Sequence, residues 1–201
     1  MNTALSLAAR LCALIIFVVA VLSLRLQFDA SHAAGRSGSV TATLWGMVRY
    51  FTVLTNLLVA AVMGLVAMRW RVPGGVALAG VLAIVMTGLV YHTLLAGLSN
   101  PVGLAWWADQ GLHTAVPMLA LAWWLAFAPM PDWQALAGGL IWPLVYVVYA
   151  TARGAVTGFW PYPFLNAGVL GWGGVALNSA GMVVAFVAVG ALLIAGKRRL
   201  G

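Results

Sequence analysis

A chain of 201 residues that is 64% hydrophobic and only 6% charged, with a mean hydropathy of +1.05, lies far outside the balance of a soluble domain. It reads as an integral membrane protein. Its net charge of +7 then concerns orientation and not nucleic-acid binding, because the basic residues gather at the ends of apolar segments. Cys12 is the single cysteine and lies inside the first apolar segment, which excludes an intrachain disulfide and a cysteine metal cluster.

Six stretches of roughly the length a helix needs to cross a bilayer are predicted at 5–24, 45–68, 74–98, 110–128, 135–153 and 172–195. The expected fold is all-α: one domain over residues 1–201, a bundle of six transmembrane helices. Arg10 precedes an apolar run, and Ser31-His32-Ala33-Ala34 is similar to a signal-peptide cleavage site. The run from Leu5 to Leu24 is nevertheless long enough to stay as a crossing. Connections are short apart from 25–44 and 154–171, and Pro73-Gly74-Gly75, Ser99-Asn100-Pro101 and Pro129-Met130-Pro131-Asp132 supply turn chemistry. Arg10, Arg69, Arg71, Lys197, Arg198 and Arg199 fall on one side, against Arg25, Arg36, Arg49 and Arg153 on the other. That bias places both termini in the cytoplasm, as for a bacterial inner-membrane protein.

Polar groups inside these segments carry the functional signal, because a hydroxyl, imidazole or carboxylate is costly in hydrocarbon. On the second segment Arg49, Thr52 and Asn56 are spaced i, i+3, i+7 along one predicted helical stripe, with Thr55 beside it. The plain alternative is that the threonine hydroxyls bond back to their own helix carbonyls. The third segment ends in Tyr91-His92. On the fourth, Asp109 and His113 are i, i+4 neighbours, so the carboxylate is able to accept from one ring nitrogen and leave the other as a base. The alternative there is a structural histidine beside a solvated Asp109. Pro117 lacks the N–H that the His113 carbonyl would accept, which predicts a bend at the site.

The fifth segment carries Tyr146, Tyr149 and Arg153 on one stripe and leads into an aromatic, proline-rich run from Thr157 to Asn166 that includes Trp160 and Tyr162. Most of the ten tryptophans fit an interfacial belt, but this run is denser than a belt needs and suits a lid. The sixth segment adds Asn178 and Ser179. Alternating helices bring these groups to one half of the membrane whichever side is outside. His92 and His113 as axial ligands of a haem is a weaker reading, since His32, the only other histidine, falls in a predicted loop.

Three runs occur in order: Tyr50-Phe51-Thr52-Val53-Leu54-Thr55-Asn56-Leu57-Leu58, then His113-Thr114 with Pro117, then Gly158-Phe159-Trp160-Pro161-Tyr162-Pro163-Phe164-Leu165. Together they resemble the androgen-induced and FAR-17a-like membrane proteins, and more closely their bacterial relatives, the Pr6Pr family membrane proteins. Animal members of that family hydrolyse fatty acid esters of hydroxy fatty acids with an intramembrane threonine and a histidine. The resemblance implies that Thr52 is the nucleophile and His113 the base. It says less of Asp109-Gln110, where the animal proteins resemble Asn-His.

The expectation is therefore an intramembrane hydrolase of lipid-like carboxylic esters. Thr52, His113 and Asp109 form the catalytic group, and Arg49, Asn56, Tyr91, His92, Tyr146, Tyr149, Arg153, Trp160, Tyr162 and Asn178 surround the substrate. A hydroxyl activated by imidazole requires no metal or organic cofactor. An oxyanion hole would come from Asn56, Asn178, a tyrosine hydroxyl or Arg153. The expected partners are a fatty acyl ester and membrane lipids. The rival from another class is a non-catalytic protein that binds or moves a lipid or small amphiphile through the same pocket.

Overall fold

The computed structural model describes residues 6–35 and 38–200, so Leu5 and Arg36 lie outside the described residues. Those residues are helical apart from turns and short connections, with no strand among them. The helices are α1 Leu7–Ala33, α2 Val40–Met47, α3 Phe51–Ala67, α4 Gly74–Val90, α5 Leu104–Gln110, α6 Val116–Phe127, α7 Ala135–Gly139, α8 Ile141–Thr157 and α9 Ala167–Leu200. A π-turn over Tyr91–Leu95 and a 3-10 turn over Ala96–Leu98 extend α4, a π-turn over Gly111–Ala115 joins α5 to α6, and a 3-10 turn over Pro163–Leu165 precedes α9. Four helical stretches are long and apolar enough to cross a membrane: Leu7–Ala33, Gly74–Leu98, Ala135–Thr157 and Ala167–Leu200. The bent pair α2 and α3 makes a fifth. The stretch from Leu104 to Phe127 is helical along its length but is not among them, because Asp109, Gln110, His113 and Pro117 dilute its first half.

Several boundaries differ from the sequence expectation. The connection at 25–44 is largely helix: α1 runs on to Ala33, so His32 belongs to its last turn and not to a loop, stacked on Phe28 with its Nδ1 3.0 Å from the Thr43 hydroxyl. Two serines set the adjoining starts, since Ser6 Oγ accepts the Ala9 N–H and Ser39 Oγ the Ala42 N–H. The second predicted segment is broken. A turn at residues 48–50 bends α2 by 94° against α3. Arg49 therefore sits in that turn and not on a stripe with Thr52 and Asn56, and Thr52 is the second residue of α3 instead of lying two turns inside a helix. The connection at 154–171 shortens likewise, because α8 continues to Thr157, where Gly158 caps it at φ 71°.

A core of Ile16, Val59, Met63, Val66, Leu78, Val81, Val116, Trp123 and Trp124 joins α1, α3, α4 and α6. Leu22, Val148, Leu177 and Leu192 are more than half exposed, as side chains that face lipid would be. Two glycines set how closely the site helix is approached. A Cβ on Gly111 would lie 2.0 Å from the Ser23 hydroxyl of α1, and a Cβ on Gly88 of α4 would lie 2.9 Å from the His113 carbonyl. Small residues at such contacts let helix backbones meet where no hydrophobic effect pulls them together.

Gly88→Ala is expected to lower stability by about 1–3 kcal/mol through overpacking, read as a lower unfolding midpoint in detergent micelles. Gly80→Ala, where an added Cβ meets nothing within 4 Å, does not lower that midpoint.

Candidate active site

Thr52 opens α3 and His113 lies in the middle of the π-turn between α5 and α6. Their side chains meet, Thr52 Oγ1 to His113 Nε2 at 3.2 Å. The π-turn has a local cause. Pro117 cannot donate to the His113 carbonyl, and the ladder widens by a residue there instead of breaking into the predicted bend. That carbonyl then faces Gly88.

Asp109 completes the line. Its Oδ1 is 3.0 Å from His113 Nδ1, and its main-chain oxygen is 3.2 Å from the same nitrogen. Because both are acceptors, they fix the tautomer: Nδ1 carries the proton and donates it, and Nε2 presents a lone pair to the Thr52 hydroxyl. Tyr91 fixes the other coordinates. Its hydroxyl donates to Asp109 Oδ2 at 2.7 Å, and its ring stacks on the imidazole with centroids 3.8 Å apart and planes within 10°. One side chain therefore holds both the carboxylate and the ring, a role beyond the substrate contact expected of Tyr91. His92, beside it, turns away to the Thr114 hydroxyl at 3.0 Å.

Asn56, one turn below Thr52, is fully buried and spends its amide protons on the main-chain oxygens of Thr52 and Leu112, at 2.8 and 3.3 Å. It ties α3 to the turn that carries His113. Thr55 faces another way and accepts from Trp142 Nε1 at 3.0 Å.

The stripe on α8 serves the bend. Tyr146 donates to the Arg49 carbonyl at 2.8 Å and Tyr149 to the Val48 carbonyl at 3.1 Å. Arg153 donates to the Trp45 carbonyl and to Tyr149, with its guanidinium 3.9 Å above the Trp45 ring. These are the carbonyls that the break between α2 and α3 leaves without helical partners. Tyr149 and Arg153 are thus corrected from substrate contacts to supports of the bend, and they line neither cavity described below. Trp160 lines neither cavity and packs between α8 and α9: its ring lies 2.5 Å from where a Cβ on Gly154 would be and sits edge-on against Trp172.

Two cavities meet at Thr52. The outer one, about 590 Å³, is walled by Gln27 and Ser31 of α1, by Arg49, Tyr50, Asp109 and His113, and by Phe159, Pro161, Tyr162 and Pro163. The inner one, about 60 Å³, is narrow and apolar, between Phe51, Met86, Val90, Tyr146, Met182 and Phe186, with Asn178 and Ser179 at its side. Thr52, Leu95 and Tyr162 line both and form the throat between them. Arg49 has its guanidinium 4.1 Å above the Phe159 ring and a buried Nε without a partner. Asn178 donates to the Phe164 carbonyl at 3.1 Å, fixing the proline-rich run over the inner cavity. Gln27 and Ser31 carry no sequence signal of their own, because nothing in the pattern of α1 marks which turn reaches the basin.

No protein-family model matches the chain, and neither a curated protein nor a solved structure shows significant similarity to it.

Arg153→Met removes a charged donor from two acceptors and is expected to cost about 2–3 kcal/mol. The check is the unfolding midpoint in micelles, with Thr114→Ala, whose partner His92 is exposed, as a control that changes little.

Proposed function

We propose that the protein is an intramembrane hydrolase of lipid-like carboxylic esters, with Thr52 as nucleophile, His113 as base and Asp109 as the group that orients it. The observation that carries this reading is the continuous line from Asp109 Oδ1 through His113 Nδ1 and Nε2 to Thr52 Oγ1, with steps of 3.0 and 3.2 Å. Threonine is a weak nucleophile until a base takes its proton, and here a lone pair of fixed tautomer points at it. The resemblance to fatty acid ester hydrolases of the androgen-induced and Pr6Pr type supports the same roles.

In the proposed reaction Thr52 Oγ1 bonds to the ester carbonyl carbon while its proton passes to His113 Nε2 and the carbonyl π pair moves to oxygen. Collapse of that adduct breaks the bond to the alcohol, which leaves with the proton from His113. A water from the outer cavity, deprotonated by His113, then releases the acid and restores Thr52. The cavities suggest how the substrate lies: the first carbons of the acyl chain enter the narrow apolar pocket, and the alcohol portion occupies the wide outer basin. Arg49, with an unpaired donor at the basin wall, suits a carboxylate on that alcohol portion.

The setting proposed is a bundle of six crossings in a bacterial inner membrane, with both termini cytoplasmic. Support comes from the helix ends that converge. The last turns of α1, the start of α3, the end of α4 and the α5–α6 junction surround the site, with the first half of α8 and the middle of α9 alongside. At the other end Arg10 bonds the Ala67 carbonyl and Lys197 the Trp124 and Leu125 carbonyls.

Purified protein is expected to lose at least about 10³-fold in ester hydrolysis on Thr52→Ala or His113→Ala while remaining folded. A fluorophosphonate should label Thr52, and labelling that persists in Thr52→Ala would remove it as nucleophile. Folded protein with no hydrolysis of any acyl ester would favour the non-catalytic lipid-binding reading. Arg49→Met is expected to raise KM by about tenfold or more for esters with a terminal carboxylate, through loss of a charge-assisted bond. It should leave neutral esters unaffected, which a comparison of the two substrate series checks.

A further inference from the structure

An ester hydrolase built on Thr52 must also stabilise the negative oxygen of the tetrahedral adduct, and the triad itself offers no donor for it. Most donors near Thr52 are already committed. Asn56 gives both amide protons to main-chain oxygens, and Asn178 is turned to the Phe164 carbonyl. Arg153 is held at the Trp45 carbonyl and Tyr149. Tyr91, Tyr146 and Tyr149 donate to Asp109, Arg49 O and Val48 O in turn.

Tyr162 differs from all of these. It is nine-tenths buried, and with Thr52 and Leu95 it forms the throat where the two cavities join. Its ring is held by stacking on Phe164, with centroids 5.2 Å apart, and by edge contacts with Tyr50 and Tyr146. Its hydroxyl faces the Thr52 side chain and the main-chain N–H groups of Phe51 and Thr52. Those N–H groups open α3 and have no carbonyl of their own helix to reach. An N–H that approaches the phenol oxygen leaves its proton to be donated and strengthens it as a donor.

We infer that the Tyr162 hydroxyl is the oxyanion donor of this site, placed at the throat beside Thr52 to receive the carbonyl oxygen as Thr52 attacks. The inference rests on the hydrolase reading above. Burial holds the phenol pKa up, so Tyr162 keeps the proton that the role requires. The carbonyl oxygen gains its electron pair as the bond from Thr52 Oγ1 to carbon forms, and the Tyr162 proton is shared with that oxygen without leaving the phenol. On collapse the oxygen returns to a carbonyl and the hydrogen bond relaxes.

The test uses full-length protein in micelles with two probes, p-nitrophenyl octanoate as substrate and octylboronic acid as a mimic of the tetrahedral adduct. The boron accepts Thr52 Oγ1 and becomes a tetrahedral anion while the threonine proton goes to His113. Tyr162→Phe is expected to lower kcat by about 10²–10³-fold with KM little changed, the loss typical of one oxyanion donor. Affinity for octylboronic acid should fall by a similar factor. A folded Tyr162→Phe protein with unchanged kcat and unchanged boronate affinity overturns the inference and leaves the hydrolase reading standing. If the unaltered protein neither hydrolyses the ester nor binds the boronate, both fall together. Should Tyr162→Phe fail to fold, 3-fluorotyrosine at position 162 supplies the readout. Its fluorine resonance moves on boronate binding, and the shift vanishes with Thr52→Ala. An unmoved resonance in protein that binds the boronate overturns the inference.

Discussion

The bend between α2 and α3 is the constraint on which the site depends. Breaking a helix within an apolar bundle strips carbonyls of their partners, and hydrocarbon offers none in return. Here α8 supplies the partners: Tyr146, Tyr149 and Arg153 reach the Arg49, Val48 and Trp45 carbonyls. An unmade hydrogen bond in such surroundings costs roughly 1–3 kcal/mol or more per group, so three compensated carbonyls decide whether the break is tolerated. What the break provides is a helix start inside the bundle. Thr52 then stands at the head of α3, beside N–H groups that no helical carbonyl claims, and Arg49 lines the basin from the turn.

A second break in regularity meets the first. The π-turns at Tyr91–Leu95 and Gly111–Ala115 place Tyr91 and His113 face to face, and Gly88 and Gly111 allow α4 and α1 to close on that junction. The line through the cluster is held at each step, although Asn56 Oδ1 is buried without a partner. Asp109 is fixed by Tyr91, His113 by Asp109, and Thr52 by His113 and, through its carbonyl, by Asn56. Linked donors and acceptors of this kind rigidify one another. Rigid placement is what acyl transfer needs, because the gain from a positioned base is lost with small displacements.

Part of this was legible from residue types and spacing. The i, i+4 relation of Asp109 and His113 survives the π-turn, whereas Thr52 was singled out among the polar groups of its segment by the family resemblance. The stripe of Arg49, Thr52 and Asn56 failed, because periodicity assumes an unbroken helix and the turn at residues 48–50 carries neither glycine nor proline to announce itself. Tyr149 and Arg153 were misread for the same reason: a donor stripe looks like a binding surface when the carbonyls it serves are thought to be inside a ladder. The position of Tyr162 at the throat depends on how the run from Gly158 to Leu165 folds back over α3, and a proline-rich loop has no period from which to read direction.

Composition alone determined that this chain is helical and seeks hydrocarbon, since no soluble fold leaves so little polar surface to meet water. It also determined which side chains must be explained, because a carboxylate, an imidazole and a hydroxyl among Leu, Val and Ala are too costly to be incidental. Only the tertiary structure decided which of them act together. Partner choice is a matter of distance and direction between helices far apart in sequence, and those are set by close packing at single glycines and by where a helix is allowed to break.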